Sequence, residues 1–326
     1  MANGSLCGHR GRITVTLPSS LQGRLRIPAI AAPMFLVSGP DLVVETCRSG
    51  LIGTFPALNQ RTSQGYSEWL SEIKQRLSGH ADAAPFGINL IVHRSNPRVE
   101  ADLAITVEHK VPLVITSLGA VADLVKAVHS YGGLVFHDVI GLRHAEKAAE
   151  AGVDGIIAVA AGAGGHAGTI SPFALVAEIR RFFNKTIILS GAISNGAQIA
   201  AARAMGADLT YLGTRFIATR ESLAVDEFKE MILRSTFSDI VYTPAISGVN
   251  ASFLRGSLIA NGLDPENLTT HGKLDMNAEA RVWKTIWSAG HGVGSIDDIP
   301  ATAELCARLI AEYKETVQAL ASESWR

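Results

Sequence analysis

Short apolar, β-branched runs recur along the chain. Between them, apolar residues return every three to four positions. The runs are 27–32, 50–55, 85–90, 112–116, 133–137, 153–159, 186–190 and 208–212. Each is nearly continuous in hydrophobicity, as a strand buried on both faces of a parallel sheet should be. Segments such as 63–77, 121–129, 142–151, 172–182 and 197–205 carry the helical period. Two of them stop at a glycine, Gly152 and Gly206, just ahead of the next strand. Eight strands alternating with helices predict an α/β fold, a (β/α)8 TIM barrel. An open, doubly wound sheet is the alternative, because a strand count alone does not prove closure.

The repeat stops after Phe216. Residues 223–282 read as helices and loops, with Thr243-Pro244-Ala245-Ile246-Ser247-Gly248 and a polar stretch at 261–277. The expected organisation is a barrel formed by 1–222 and 283–326, with 223–282 as a small helical subdomain. Residues 299–320 have the pattern of one amphipathic helix that packs back on the barrel. No low-complexity linker separates the parts, so they should share an interface.

Composition narrows the function classes. Of 326 residues, 47% are hydrophobic and 18% charged, enough for a large core in a single barrel. A net charge of −1 creates no field favouring nucleic acid or a membrane surface. No apolar stretch is long enough to span a bilayer, and the N-terminus lacks a signal-peptide core. The cysteines, Cys7, Cys47 and Cys306, are scattered, which suits a reducing, cytoplasmic setting. The ten histidines show no metal-ligand spacing, so no metal is expected.

The segment Gly162-Ala163-Gly164-Gly165-His166-Ala167-Gly168 stands at the end of the sixth strand. Residues without bulk let the backbone approach a flat ligand closely. His166 adds a group able to hold or release a proton near neutral pH. Gly162, Gly164 and Ala167 also fit the dinucleotide pattern G-x-G-x-x-A. In that pattern the helix begins within the glycines. Here Thr169 and Ile170 intervene, and Ser171 with Pro172 reads as an N-cap and first helical residue. The seventh strand ends in Ser190-Gly191-Ala192 and the eighth in Gly213-Thr214, where barrels of this type bind phosphate. Flavin mononucleotide (FMN) meets both requirements, a phosphate and a flat ring.

At this point the sequence resembles the nitronate monooxygenases, formerly 2-nitropropane dioxygenases, and the related FMN-dependent NADH:quinone reductases. The carriers are Ala31-Ala32-Pro33-Met34, Phe86-Gly87-Ile88-Asn89, His144-Ala145, Ala151-Gly152-Val153-Asp154 and Ala163-Gly164-Gly165-His166-Ala167-Gly168. Further along come Ser190-Gly191-Ala192, Met205-Gly206-Ala207-Asp208, Gly213-Thr214-Arg215-Phe216 and Trp287-Ser288-Ala289-Gly290. The resemblance spans about 28–294 and is weakest over the subdomain. It implies non-covalent FMN, with Ala32, Pro33 and Met34 beside the isoalloxazine and Asn89 bonded to it. Gly164 and Gly165 would line the ring, and His166 would be the catalytic histidine. Ser190, Gly191, Ala192, Gly213 and Thr214 would hold the phosphate, and the subdomain would form a lid.

Two positions depart from relatives. Some carry a lysine where Asp138 follows His137, near the flavin, and some quinone reductases have an aspartate at Val159. Asp138 is expected either to turn away, toward an arginine or a backbone donor, or to alter the flavin potential. His93, beside Arg94, is expected to be solvated. The implied activity is oxidation of a small alkyl nitronate, such as propionate 3-nitronate, with O2. The alternative is an NAD(P)H-dependent flavin reductase acting on quinones or enoyl thioesters. Oligomeric state is left open, a homodimer among the options.

Overall fold

The computed structural model describes residues 16–119, 122–269 and 283–324. Eight parallel strands close into a barrel in the order β1-β2-β3-β4-β5-β6-β8-β9. They are β1 (Ala29–Ala31), β2 (Ile52–Pro56), β3 (Gly87–Ile91), β4 (Leu113–Ser117), β5 (Leu134–Val139), β6 (Gly155–Val159), β8 (Thr186–Ser190) and β9 (Leu209–Leu212). Each falls on one of the apolar runs of the sequence. Pairing of β1 with both β2 and β9 closes the ring and excludes the open sheet. The strands are buried on both sides, inward by Ile30, Ile115, Phe136, Ile157 and Ile188 and outward under the helices.

The helices begin where local chemistry dictates. In α2 (Ser63–Leu77), Thr62 caps by accepting from the Gly65 amide. In α7 (Gly196–Ala204), Asn195 and Gln198 form a reciprocal capping box. Helix α6 (Pro172–Arg180) does start at Pro172, but the Ser171 hydroxyl makes no capping bond. The C-terminal helix (Thr302–Ser322) lies on α7, and its Glu312 accepts from the Gly196 amide at 2.7 Å. That contact closes the outer ring as the amphipathic pattern requires.

The segment 223–282 departs from its expected all-helical character. Besides α9 (Asp226–Arg234) and α10 (Arg255–Ala260) it contains β10 (Ile240–Thr243) and β11 (Ala251–Leu254). These form an antiparallel sheet with β7 (Gly165–His166), in the order β10-β11-β7. Residues 270–282 lie outside the described part. Ile240, Val241 and Thr243 are β-branched, and Pro244 and Gly248 lie in the connection between the strands. Four residues are too few for periodicity to reveal a strand against a polar background.

Two of the recurring motifs serve the barrel rather than its chemistry. Asp154 and Asp208 each follow a helix-ending glycine, at the amino-terminal rim. Each carboxylate accepts the amide of the neighbouring strand, Val135 at 2.9 Å and Ile187 at 2.9 Å. Asp208 is almost fully buried and also receives Arg180 at 2.6 Å and the Thr16 amide at 2.8 Å. Removing one partner of a buried pair costs about 3–5 kcal/mol, because the other charge is stranded. An exposed pair is worth about 1 kcal/mol or less. Asp208→Ala is therefore expected to lower stability by several kcal/mol in urea titration. Asp123→Ala, which breaks only the exposed pair to Lys126, should change little. Equal losses would contradict this account of the rim.

Candidate active site

The carboxyl ends of the strands open into one cavity of about 1400 Å³. Small-molecule sites usually measure about 300–1,000 Å³, so two molecules fit here together. Ala32, Pro33, Met34, Asn89, Asp138, Gly164, Gly165, His166, Ser190, Gly191, Ala192, Gly213 and Thr214 all line it. Residues spread over most of the chain thus meet in one place. Among the described residues, four non-glycines have positive φ, and three of them, Leu36, Leu118 and Ala192, also line the cavity. Such backbone costs about 1–2 kcal/mol per residue and persists only where surroundings enforce it.

The enforcing group at Leu36 is Asn59, which follows β2. Its Oδ1 accepts the Leu36 amide at 2.9 Å, and its Nδ2 donates to the carbonyls of Met34 at 3.1 Å and Ser38 at 2.7 Å. One side chain therefore holds the loop of Pro33 and Met34 in place. Sequence reasoning missed Asn59, since a single loop asparagine has no pattern to betray it.

Strands β3 to β5 present a polar row. Asn89 Nδ2 donates to Ser117 Oγ at 2.8 Å and to the Ile115 carbonyl at 3.3 Å. Ser117 donates in turn to Asp138 Oδ2 at 2.5 Å. Asp138 Oδ1 is buried without a partner. Burial pushes this carboxyl up to about 6, against the opposing pull of Ser117. Asp138 therefore does not turn away to an arginine, as one expectation had it. Tyr211 closes the row on the β9 side, its phenol pushed up by burial and by the charge of Asp138. His137 alternates to a different partner, Thr116 Oγ1, at 2.7 Å.

Opposite this row the backbone is bare. The amides of Gly191, Gly213 and Thr214 donate to no acceptor among the described residues. Here the segment that returns from the subdomain docks. The Gly290 amide donates to Thr214 Oγ1 at 2.9 Å, and the His291 amide to the Gly162 carbonyl at 2.9 Å. A Cβ on Gly290 would lie 2.5 Å from the Gly162 oxygen, and one on Gly164 would lie 2.9 Å from the Gly290 nitrogen. Gly164 is thus demanded by a neighbouring chain segment, where the sequence suggested only a flat ligand. A Cβ on Gly165, at φ 67°, would meet nothing within 4 Å, so glycine is needed there for its backbone alone.

His166 pairs in the sheet with Ala251, and its ring meets the edge of Trp283 at 5.8 Å. Its Nε2 lies 3.4 Å from Ser247 Oγ. Ser247 spends its own proton on the Val249 carbonyl at 2.9 Å. The serine oxygen is thus available to accept from His166. The Gly165 amide is held by Ser288 Oγ at 2.7 Å. Arg215, part of a recurring motif, is buried away from the cavity and bonds Asp298 at 3.0 Å. His93 bonds Ser95 at 2.7 Å and does not line the cavity. Among the described residues no group of side chains is arranged to hold a metal ion, and no helix is long and apolar enough to cross a membrane.

Burial, assisted by nearby His144, pushes the buried His137 down to about 4. Its folded value lies below the unfolded one, near 6.5. The unfolded chain therefore gains a proton first as pH falls, and stability is lost between about pH 6.5 and 4. Full loss amounts to roughly 3 kcal/mol. His137→Gln is expected to flatten that part of the stability profile measured by urea titration. An unchanged acid slope would show that His137 titrates normally.

A family model for nitronate monooxygenase matches residues 21–312. A nitronate monooxygenase of Paraburkholderia phytofirmans is 27% identical over 90% of this chain and 94% of its own. A (3aS,4S,5R,7aS)-5-hydroxy-7a-methyl-1-oxo-octahydro-1H-indene-4-carboxyl-CoA dehydrogenase of Rhodococcus jostii is 23% identical over 90% and 94%. The solved structure of nitroalkane oxidase from Streptomyces ansochromogenes superposes with a TM-score of 0.81 at 23% identity, covering 93% of this chain and all of that one. That likeness concerns the barrel fold alone. The family match runs through the barrel, the cavity and the returning segment, so the chain belongs to the nitronate monooxygenase family and is an oxidoreductase.

Proposed function

We propose that the protein holds FMN in this cavity and oxidises small alkyl nitronates, such as propionate 3-nitronate, with O2 as co-substrate. The observation that carries the reading is the placement of unbonded amides and His166 in one cavity. The amides of Gly191, Gly213 and Thr214 form a cradle suited to a phosphate. Across the barrel, the unpartnered Asp138 Oδ1 and the amide of Asn89 suit the polar edge of a ring. FMN, when bound, supplies the electron-accepting chemistry.

The chain's own residues would bind and orient. Ser190 and Ala192 complete the phosphate cradle. Ala32, Pro33 and Met34, in the loop fixed by Asn59, flank the ring, and Gly164 and Gly165 border its other side. Asn89 has committed its nitrogen to Ser117 and Ile115, so its oxygen is the atom to offer. The described part of the subdomain, residues 223–269, would cover the mouth and exclude water. His166 would steady the nitronate oxygens when protonated. Offered a neutral nitroalkane instead, the imidazole would take the proton.

A second reading has an observation of its own. Leu118, Ile140, Leu223 and Val225 line the cavity although each is more than a third exposed. Arg61, Arg98, His144 and Lys147 stand beside them. A larger substrate with apolar and anionic parts would also find contacts at that mouth. An NAD(P)H-dependent flavin reductase of enoyl thioesters or quinones would use it, and the similarity to the carboxyl-CoA dehydrogenase of Rhodococcus jostii supports a thioester substrate.

Two variants test the site. Gly213 has φ −101°, and a side chain there would project toward Ala32 and Met34, each 3.8 Å from its Cβ. Gly213→Leu is expected to fold and purify colourless, while the wild type purifies yellow and releases FMN on heating. His166→Ala should stay yellow and lose roughly 10- to 100-fold in kcat/KM, the worth of one charge-assisted hydrogen bond of about 1.5–3 kcal/mol. A colourless wild type that takes up no added FMN would end the flavin reading. Undiminished turnover of both nitronate and nitroalkane would remove His166 from the reaction.

A further inference from the structure

We propose that Asp138 is the group that takes up a proton when the bound flavin is reduced. The proposal rests on the flavin reading above and adds a role that the family match does not assign. Its ground is geometric. Asp138 ends β5, in the middle of the polar row, and lines the cavity. In the closed order of eight strands, β4 stands across from β9 and β5 across from β1. A ring whose phosphate lies at the β8 and β9 loops, across from β3 and β4, would extend over the mouth toward Asn89 and Ser117, and Asp138 stands beside Ser117.

The carboxyl is fixed on one oxygen and bare on the other. Oδ2 accepts from Ser117, whose oxygen is held by Asn89, so the group cannot swing out of the cavity wall without breaking its bond to Ser117. Oδ1 is buried and has no partner. No lysine, arginine or histidine forms an ion pair with it among the described residues. Among the titratable groups near it, Tyr211 from β9 feels its charge, His137 is its neighbour on the strand, and His144 and Lys147 of α5 (Leu142–Glu150) line the same cavity. Tyr211 keeps its proton, and His137 is turned to Thr116 and stays neutral.

Adding negative charge beside an unpaired, buried carboxylate is unfavourable, so its proton affinity must rise as the ring gains electrons. Two electrons enter the ring from a donor such as dithionite, and one proton goes to the ring itself. A second proton, from solvent, goes to the Asp138 carboxylate. The site then carries one negative charge where two would otherwise face each other. With Asp138 ionised in the oxidised protein, reduction thus takes up two protons. With asparagine there, it takes up one.

The test is a dithionite titration of the FMN-loaded protein from pH 6 to 8.5, followed by absorbance. Each proton taken up shifts the two-electron equilibrium tenfold per pH unit, which is about 30 mV. The midpoint potential of the wild type is expected to fall by about 59 mV per pH unit above its break, and that of Asp138→Asn by about 30 mV. Ser117→Ala removes the bond that favours the carboxylate, so its break should move to higher pH while the steep limb remains. A wild type with the shallow slope throughout, or an asparagine variant that keeps the steep one, overturns the proposal even where FMN is bound. A protein that binds no FMN overturns the flavin reading and this proposal together.

Discussion

The site depends on one backbone-to-backbone contact, that of Gly290 with the Gly162–Gly164 turn. No side chain fits between these segments. Because they touch, the Gly290 amide reaches Thr214 at the end of β9 and the His291 amide reaches Gly162 beyond β6. Ser288, two residues before Gly290, reaches the Gly165 amide and the Ser252 carbonyl. The loops after β6 and β9, strand β11 and the return from the subdomain are thereby fixed to one another. His166 takes its direction from the same contact, since Gly165 and His166 form the strand that pairs with β11.

The barrel supplies what that contact cannot. Its closure sets the polar row of β3 to β5 opposite the bare amides of β8 and β9. Neither set would have a fixed counterpart in an open sheet. The mouth keeps strained backbone at Leu36, Leu118 and Ala192, and Asn59 shows how one such position is enforced. The barrel's opposite rim is stapled by the carboxylates of Asp154 and Asp208.

Much of the architecture was legible because strands buried on both faces leave continuous apolar runs, and all eight of them proved to be staves. The site loops were legible for a different reason: small residues at strand ends stand out against bulky neighbours. Their purpose was less readable. Gly164 reads as room for a ligand, yet its space is taken by Gly290, more than a hundred residues on, and no local pattern carries that information. The strands of 240–243 and 251–254 were missed because they are short and find their third partner in Gly165–His166. Asn59, Ser117 and Ser247 were invisible for the same reason, as polar residues defined by distant partners. Asp138 was visible as a departure, while its setting, one oxygen held and one bare, belongs to three dimensions.

In the function proposed above, a small anionic substrate passes its electrons to a flavin bound in the cavity. Anaerobic stopped-flow mixing of the FMN-loaded protein with propionate 3-nitronate and, separately, with NADH at equal concentration tests it most directly. The nitronate is expected to change the flavin spectrum faster than NADH, and oxygen consumption should follow when air is admitted. Rapid reduction by NADH with no response to nitronate would contradict the claim and hand the cavity to a larger, thioester- or quinone-like substrate.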